Sequence, residues 1–235
     1  MISKNFTRCL AKISGDGYLY YRYIRYSNKC PELIKEFKKD ILKEFRNINL
    51  TEGKTNSGTP FVQIHGRNII KKFLEHLSDF KSKNIVIPLA IKEANKNIKK
   101  EYLRAFYDDE GCSSLRIFNK TKEWKRTLAL GSNSKRILEE IKIMLLNDFN
   151  IKSNNIIKNK REDCCYVLGI SGKDNFIKFR KEIGFKHPKK SKILDLIIES
   201  YGKTIHKNKK GFNKIYNKLR DILIIILEQQ FCLLD

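Results

Sequence analysis

The chain has 235 residues, and its 49 lysines and arginines outnumber its 26 aspartates and glutamates, which gives a formal net charge of +23. Hydrophobic residues make up 41% of the chain, and the low content of 12 glycines and 4 prolines excludes collagen-like structure and low-complexity disorder. A globular protein of this length forms one large domain or two smaller ones. Because such an excess of positive charge destabilises a compact chain, we expect a polyanionic partner. Nucleic acid is the leading candidate, and a generally basic or ribosome-associated protein is the alternative.

The cysteines and the terminal segments indicate an intracellular protein. The six cysteines form no C-x-x-C pair and have no histidine at zinc-ligand spacing, so we predict reduced thiols and no zinc site. The N-terminal segment lacks the apolar core and cleavage site of a secretory signal. The longest apolar run, at 222–227, is far too short to span a bilayer. These features predict a location in the cytoplasm or, in a eukaryotic host, in an organelle.

The first half of the chain is predicted to begin with a helix that ends in CLAKISGDG, at 9–17. The following stretch, YLYYRYIRYSN, is rich in β-formers and predicts a strand. A helix then begins at Pro31 and carries apolar residues at helical spacing. PFVQIHG belongs to a second strand pair, with Val62 and Ile64 on one face. A helix over 67–80 is predicted as the last element of this half.

The second half follows the same order. Its first helix ends in LRAFYDDEG, at 103–111, and SLRIFN and RTLALG are two strands joined by a polar turn near Trp124. A helix then begins after a predicted cap at Ser134. A strand pair around 156–171 and a helix over 173–185 complete the half.

The order helix, two strands, helix, two strands, helix therefore occurs twice. We predict an α+β fold of two pseudo-symmetric repeats with antiparallel sheets, at 1–80 and 98–201, joined by a linker at 81–97. Residues 203–235 have no counterpart in the first half. They are predicted to form a basic, amphipathic helical extension that packs on the second half or contacts a partner.

Acidic residues end the first helix of each repeat. Asp16 ends one helix, and Asp108, Asp109 and Glu110 end the other, although the C-terminus of a helix carries the negative end of its dipole. A hard divalent cation would offset this repulsion, and Mg²⁺ needs only one or two protein carboxylates. Each acid–glycine pair taken singly is typical of an ordinary surface turn. Its recurrence at matching places in a basic protein favours a functional site.

Small residues on the same two helices predict that these helices pack side by side. Ala11 and Gly15 are four positions apart, and Ala105 is the counterpart of Ala11. Close packing of the two helices would bring Asp16 and Glu110 together on a pseudo-two-fold axis.

The two strings resemble the paired motifs of the LAGLIDADG homing endonucleases of the single-chain, two-repeat kind, over about residues 5–201. The second string is the better match to the family motif. In the first string Lys12 stands where an apolar residue is usual, and Ser14 stands where an acid is common. The resemblance implies motif helices at the repeat interface and sheets that form a saddle over DNA. It also implies a monomer that hydrolyses both strands of double-stranded DNA at a long asymmetric site and leaves staggered ends. Mg²⁺ is the implied cofactor, and Ca²⁺ is expected to support binding without cleavage.

The resemblance further implies Asp16 and Glu110 as catalytic metal ligands, with Gly15 and Asp109 as additional metal-binding positions. Active sites of the family also contain peripheral basic residues. By position, the candidates for that catalytic role are Lys83 and Lys190, for which a solvated surface role is the ordinary alternative.

Strand residues that alternate with core positions are the candidates for DNA contact. Arginine can pair with guanine and glutamine with adenine in the major groove, whereas lysines on loops contact phosphates. Stacking or a bond to the backbone is one role for Tyr20, Tyr21, Tyr23 and Tyr26, but alternate tyrosines in a strand are more typical of half-buried packing. The predicted DNA-binding residues are Arg22, Arg25, Gln63, His65, Arg116, Lys125 and Thr127.

Two other functions are compatible with the same fold. One is an intron-encoded maturase that binds RNA, and the other is a DNA-binding regulator that does not cleave. The paired acids favour cleavage. An intein is disfavoured, because Met1 lies just before the first motif and the chain ends in QQFCLLD without the His-Asn used in splicing. The favoured interpretation is a free-standing, intron-encoded endonuclease that acts in intron homing.

Overall fold

The computed structural model describes residues 2–77, 82–118, 123–159 and 165–202. The first repeat consists of α1 (Lys4–Ser14), β1 (Gly17–Tyr20), β2 (Tyr23–Ser27), α2 (Pro31–Glu44), β3 (Asn49–Lys54), β4 (Pro60–His65) and α3 (Arg67–Leu74). The second half consists of α4 (Leu89–Lys92), α5 (Lys96–Glu110), β5 (Gly111–Phe118), β6 (Glu123–Ser132), α6 (Lys135–Phe149), β7 (Ile157–Lys158), β8 (Tyr166–Ile170), α7 (Lys173–Glu182) and α8 (Pro188–Glu199).

Local signals in the sequence fix where several helices begin. The side chain of Ser134 accepts a hydrogen bond from the amide of Ile137, so the predicted cap of α6 is present. Ser3 and Asn95 cap α1 and α5 in the same way. Pro31 occupies the first turn of α2, where its missing amide hydrogen is not needed.

The two sheets have the same topology. Each is a four-stranded antiparallel sheet, with strand orders β1-β2-β4-β3 and β5-β6-β8-β7. In the first sheet Ile24, Val62 and Ile64 are buried on the core face, while Arg25 and Gln63 pair on the opposite face. The predicted α+β fold with two repeated sheets is confirmed.

Each repeat has its own hydrophobic core, and α1 packs against α5 between the cores. Ala11 and Ala105 are fully buried, and Ala11 joins the core of the second half. Small side chains at these positions allow the two helix backbones to approach. The predicted side-by-side packing of the motif helices is therefore present.

Two predicted elements differ from the structure. The stretch YLYYRYIRYSN is not one strand but a hairpin, in which Tyr20 pairs with Tyr23 across a turn at Tyr21 and Arg22. The turn lacks the glycine, asparagine or proline that usually marks one, so its β-formers concealed it. Trp124 does not lie in the turn but in β6, where it packs partly buried against the second core.

Other differences concern helices. α4 and the start of α5 lie within the segment predicted as a linker, and α8 was not predicted, although Pro188 occupies its first turn. The helix predicted over 67–80 ends at Leu74, and its last residues together with the extension at 203–235 lie outside the described residues. Within the described ranges no helix is long and apolar enough to cross a membrane.

Candidate active site

The C-terminal ends of α1 and α5 meet at Gly15. A Cβ atom at this position would lie 3.2 Å from Cβ of Asp109 and 3.3 Å from Oε1 of Glu110. The absence of a side chain therefore allows the two helix ends to approach, and it places Asp16, the next residue, at the same junction as Glu110. This is the arrangement predicted from the small residues of the two motifs.

A glycine follows each of the two acids for a steric reason. A Cβ at Gly17 would lie 2.4 Å from the carbonyl oxygen of Ile13, and a Cβ at Gly111 would lie 2.4 Å from the carbonyl oxygen of Tyr107. In both repeats the chain thus passes so close to the last turn of its helix that a Cβ atom would clash with the backbone, and only glycine fits. The turn holds each acid at the helix end.

Asp16 lines a cavity of about 320 Å³, together with Asn28, His187 and Lys190. Its Oδ2 accepts a 2.8 Å hydrogen bond from the side-chain amide of Asn28. Burial raises the pKa of Asp16 above its usual range, and the bond from Asn28 opposes this shift.

Glu110 does not line this cavity, and its carboxyl receives no hydrogen bond from the described residues. Burial and the nearby negative charge of Asp16 raise the pKa of Glu110 to about 7. The negative charge of Asp16 thus raises the pKa of Glu110 more than the positive charge of Lys190 lowers it, and a bound cation would relieve this repulsion.

The other two acids at the C-terminal end of α5 bind protein groups. Oδ1 of Asp109 accepts a 2.6 Å hydrogen bond from the hydroxyl of Tyr26, and burial raises the pKa of Asp109 well above its usual range. Oδ1 of Asp108 accepts 2.9 Å hydrogen bonds from the amides of Lys186 and His187, and burial raises its pKa to about 6. Asp109 thus joins the two repeats, and Asp108 fixes the segment that leads into α8.

Of the two lysines predicted by position, the structure brings one to the site. Nζ of Lys190 donates to the carbonyl oxygens of Tyr107, Asp108 and Asp109, at 3.3, 2.5 and 3.1 Å. Its positive charge therefore offsets the negative end of the α5 dipole beside the acids. Lys83 is exposed and is not among the residues that line the cavity.

Lys12, which departs from the motif, is fully buried at the repeat interface. Its Nζ lies 3.4 Å from Oε2 of Glu36, and Arg104 binds the other oxygen of the same carboxylate at 3.0 Å. A charged residue is tolerated here because Glu36 of α2 pairs with it.

Several residues that line the cavity were not predicted from the sequence, among them Asn28 and His187. A signal for Asn28 was present, because the pair Ser27-Asn28 at the end of β2 recurs as Ser132-Asn133 at the end of β6. His187 reaches the cavity through the packing of α8, and no local pattern in the sequence predicted this packing. Burial and the charge of Lys190 lower the pKa of His187 to about 4.

The donors present fit a hard divalent cation. Asp16 and Glu110 offer carboxylate oxygens, which Mg²⁺ and Ca²⁺ prefer, and burial raises the pKa of both carboxyls. In the described part of the chain no three His, Cys, Asp or Glu side chains form a metal-binding group.

The predicted DNA-binding residues lie mostly on the outer faces of the two sheets. In the first sheet Arg25 donates to Oε1 of Gln63 at 2.7 and 2.9 Å, and the amide of Gln63 lies 2.9 Å from Nε2 of His65. In the second, Arg116 pairs with Lys125, and Thr127 lies on the same face. Arg22 lies in the hairpin turn.

Comparison with known proteins supports the fold described above. Residues 97–184 match the family model described as a LAGLIDADG-like domain. A variant of the homing endonuclease I-DmoI has a similar structure, with a TM-score of 0.60 and 19% identity over 82% of this chain and 97% of that one. I-DmoI in complex with DNA and Ca gives a TM-score of 0.59 at 18% identity, over 82% and 97% of the two chains.

Two further proteins are similar to this chain. The N-terminal LAGLIDADG domain of DUF199/WhiA gives a TM-score of 0.53 and 12% identity over 77% of this chain and 82% of that one. The protein named probable translation initiation factor IF-2 of Methanocaldococcus jannaschii is 27% identical over 213 residues, which are 86% of this chain. The chain spans 17% of the length of that relative, so the relative's name assigns this chain no activity.

Residues 97–184 thus match the LAGLIDADG-like domain model, and the chain has the two-repeat LAGLIDADG fold. The resemblance to the single-chain LAGLIDADG homing endonucleases, predicted from the two helix-end strings, is confirmed.

Proposed function

We propose that this protein is a sequence-specific endonuclease that hydrolyses double-stranded DNA with a divalent metal ion. The observation that carries the proposal is the junction of α1 and α5, where Gly15 brings Asp16 and Glu110 together. One acid from each repeat suits a reaction on two antiparallel DNA strands, because each strand then meets its own carboxylate.

The residues around the acids would prepare them for this reaction. Asp16 and Glu110 would hold Mg²⁺, which supplies a water of lowered pKa and stabilises charge on the leaving oxygen. Asn28 orients the Asp16 carboxylate through its 2.8 Å hydrogen bond. Lys190 limits the repulsion between the α5 terminus and approaching phosphates.

The charge and the sheets support DNA as the substrate. A net charge of +23 favours a polyanion, and basic side chains lie on the outer face of each sheet. The two faces carry different side chains, so a monomer would read an asymmetric site. Structures of I-DmoI with DNA and Ca or Mn illustrate such a complex on the same fold.

The test is cleavage of a pool of long genomic DNA in Mg²⁺, Ca²⁺ or EDTA, followed by sequencing of the ends. One recurrent site with staggered ends in Mg²⁺, binding without cleavage in Ca²⁺, and no ends with Asp16→Asn would support the proposal. DNA binding in every buffer without cleavage would contradict it and favour the non-cleaving regulator. Binding of RNA in preference to DNA would favour the maturase.

A further inference from the structure

Four tyrosines form a cluster on the β1–β2 hairpin. The rings of Tyr18, Tyr20, Tyr21 and Tyr23, hereafter the tyrosine cluster, contact one another at centroid distances from 4.2 to 6.4 Å. Tyr18 is 54% exposed, Tyr20 is 40% exposed and Tyr21 is 62% exposed. The prediction of half-buried packing is therefore wrong for Tyr20 and Tyr21, whereas Tyr23 is half-buried as predicted. Tyr26 is fully buried.

The tyrosine cluster lies on the side of the hairpin away from the core. Ile24 and Tyr26 of β2 are fully buried, whereas the cluster residues of the two strands alternate with core positions and pair across the outer face. A group of large exposed rings leaves apolar surface in water, and such a patch marks an interaction site.

Two arginines provide positive charge beside the rings. The guanidinium of Arg22 lies 4.9 Å from the ring centre of Tyr21, and that of Arg25 lies 5.2 Å from the ring centre of Tyr23. Neither arginine forms a salt bridge with a carboxylate of the described residues. Their charge is therefore available to a phosphate that approaches the rings.

The second repeat has no such cluster at the equivalent positions. Gly17 and Gly111 begin β1 and β5, so the positions of Tyr18 and Tyr20 correspond to Cys112 and Ser114. Opposite Ser114 lies Thr127, where the first repeat has Tyr23 opposite Tyr20. The cluster is therefore a feature of the first repeat that the second repeat lacks at the equivalent positions.

We propose that the tyrosine cluster is a stacking platform for unpaired nucleobases, with Arg22 and Arg25 contacting the adjacent phosphates. Every base presents a π face that can stack on tyrosine, so stacking does not depend on base identity. In a duplex these faces are covered by neighbouring base pairs, so the platform selects single-stranded segments. This binding goes beyond the proposed cleavage of duplex DNA and does not require it.

The test measures fluorescence anisotropy of labelled single strands of roughly 12 nucleotides, within the site size of small single-strand binders. Oligo-dT, oligo-rU and a blunt-ended DNA duplex of two separate strands are titrated in EDTA, so no cleavage is needed. The double variant Tyr20→Leu with Tyr21→Leu should bind single strands at least about tenfold more weakly, the loss expected from one stacked base. The double phenylalanine variant should stay within about twofold of wild type, because the rings remain.

A matched control is available on the second sheet. Ile157 is 62% exposed, as is Tyr21, so Ile157→Ser removes an equally exposed apolar side chain without touching the platform. It should leave single-strand binding unchanged. A strand carrying 2-aminopurine should lose fluorescence on binding wild type, since stacking quenches that base, and should retain it with the leucine variant.

Each outcome is decisive. Loss of binding with DNA alone, with RNA alone or with both supports the platform and identifies the source of the unpaired bases. Unchanged single-strand binding in the leucine variant overturns the proposal, as does an equal loss in the phenylalanine variant. An equal loss of binding to the blunt-ended duplex would also overturn it, by showing a duplex contact. A protein that fails to cleave DNA in the test of the proposed function can still give any of these binding results, so the two proposals are tested separately.

Discussion

The hydroxyl of Tyr26, in the core of the first repeat, donates a 2.6 Å hydrogen bond to Oδ1 of Asp109, the residue before Glu110 in the second repeat. Both groups are buried, and Oδ2 of Asp109 has no hydrogen-bond partner among the described residues. This bond ties the strand β2 to the end of α5 across the repeat interface. Tyr26 of the first repeat thereby holds in place Asp109 of the second repeat, which is the neighbour of the proposed metal ligand Glu110.

Replacement of Tyr26 by phenylalanine should therefore destabilise the protein. The variant leaves a buried carboxyl with one partner fewer, which costs about 1–3 kcal/mol. The matched control is Tyr107→Phe, because the Tyr107 hydroxyl is buried without a partner among the described residues and its removal should be neutral or stabilising. Urea unfolding of the two variants measures the difference, and equal stabilities would show that the bond contributes nothing.

The carboxylate of Asp40 gives a second test of the interface. Arg8 binds it through Nε and Nη2 at 2.6 and 2.5 Å and also binds Glu101 of α5 at 2.9 Å. Asp40 is almost fully buried, so Arg8→Ala would leave an unpaired buried charge and should cost about 3 kcal/mol.

Arg180 and Asp195 provide the control for that substitution. They form a similar pair at 2.6 Å, but their side chains are 46% and 52% exposed. Arg180→Ala should cost less than about 1 kcal/mol, since water and salt screen the pair. Thermal unfolding that shifts equally in both variants would contradict the view that burial decides the contribution.

The glycine after each acid should resist substitution. Gly111→Ala places a methyl group against the carbonyl oxygen of Tyr107, and the backbone must move, at a cost of about 1–3 kcal/mol. Gly131→Ala is the control, because a Cβ at Gly131 would meet no atom within 4 Å. The Gly111 variant should also lose cleavage activity through displacement of Glu110, and a fully active, fully stable variant would refute the steric explanation.

The two acids should each be necessary for cleavage. Asp16→Asn or Glu110→Gln removes a metal ligand, and a loss of about 4 kcal/mol of transition-state stabilisation lowers the rate about a thousandfold. DNA binding in Ca²⁺ or EDTA should remain within a few-fold of wild type, because neither acid lies on the outer sheet faces. Wild-type cleavage by either variant would remove the proposed active site.

The raised pKa of Glu110 predicts how stability depends on pH. An ordinary glutamate has a pKa of 4.5, whereas burial and Asp16 raise that of Glu110 to about 7. Between these values the folded state holds a proton that the unfolded state has lost, so the metal-free protein loses stability as pH rises from 4.5 to 7.

Glu110→Gln should flatten this part of the pH profile of the free energy of unfolding and should be more stable than wild type at pH 8. In wild type a bound divalent cation should restore stability above pH 7, because it favours the ionised carboxylate. Calorimetry in EDTA and in Mg²⁺ checks both effects. A profile that is identical in wild type and variant would show that Glu110 does not titrate in this range.

Local signals in the sequence determined much of this fold. The repeated strings, the caps and the alternating strands predicted the order of elements, because helix ends and sheet faces depend on residues close in sequence. Ala11, Gly15 and Ala105 also predicted the packing of α1 on α5, since small residues are what close helices require. Asp16 and Glu110 could be placed together from that packing alone.

The tertiary structure alone decided which polar groups meet. Lys190 reaches the end of α5, Asn28 reaches Asp16, and Tyr26 reaches Asp109 through contacts between segments distant in the sequence. Lys83 and Lys190 were equally plausible by position, and only the packing of α8 separates them. The exposure of the tyrosine cluster was hidden as well, because a β-forming stretch gives no sign of its turn or of its solvent face. Long-range packing sets burial and charge environment, and so it fixes the chemistry of residues whose identities the sequence supplies.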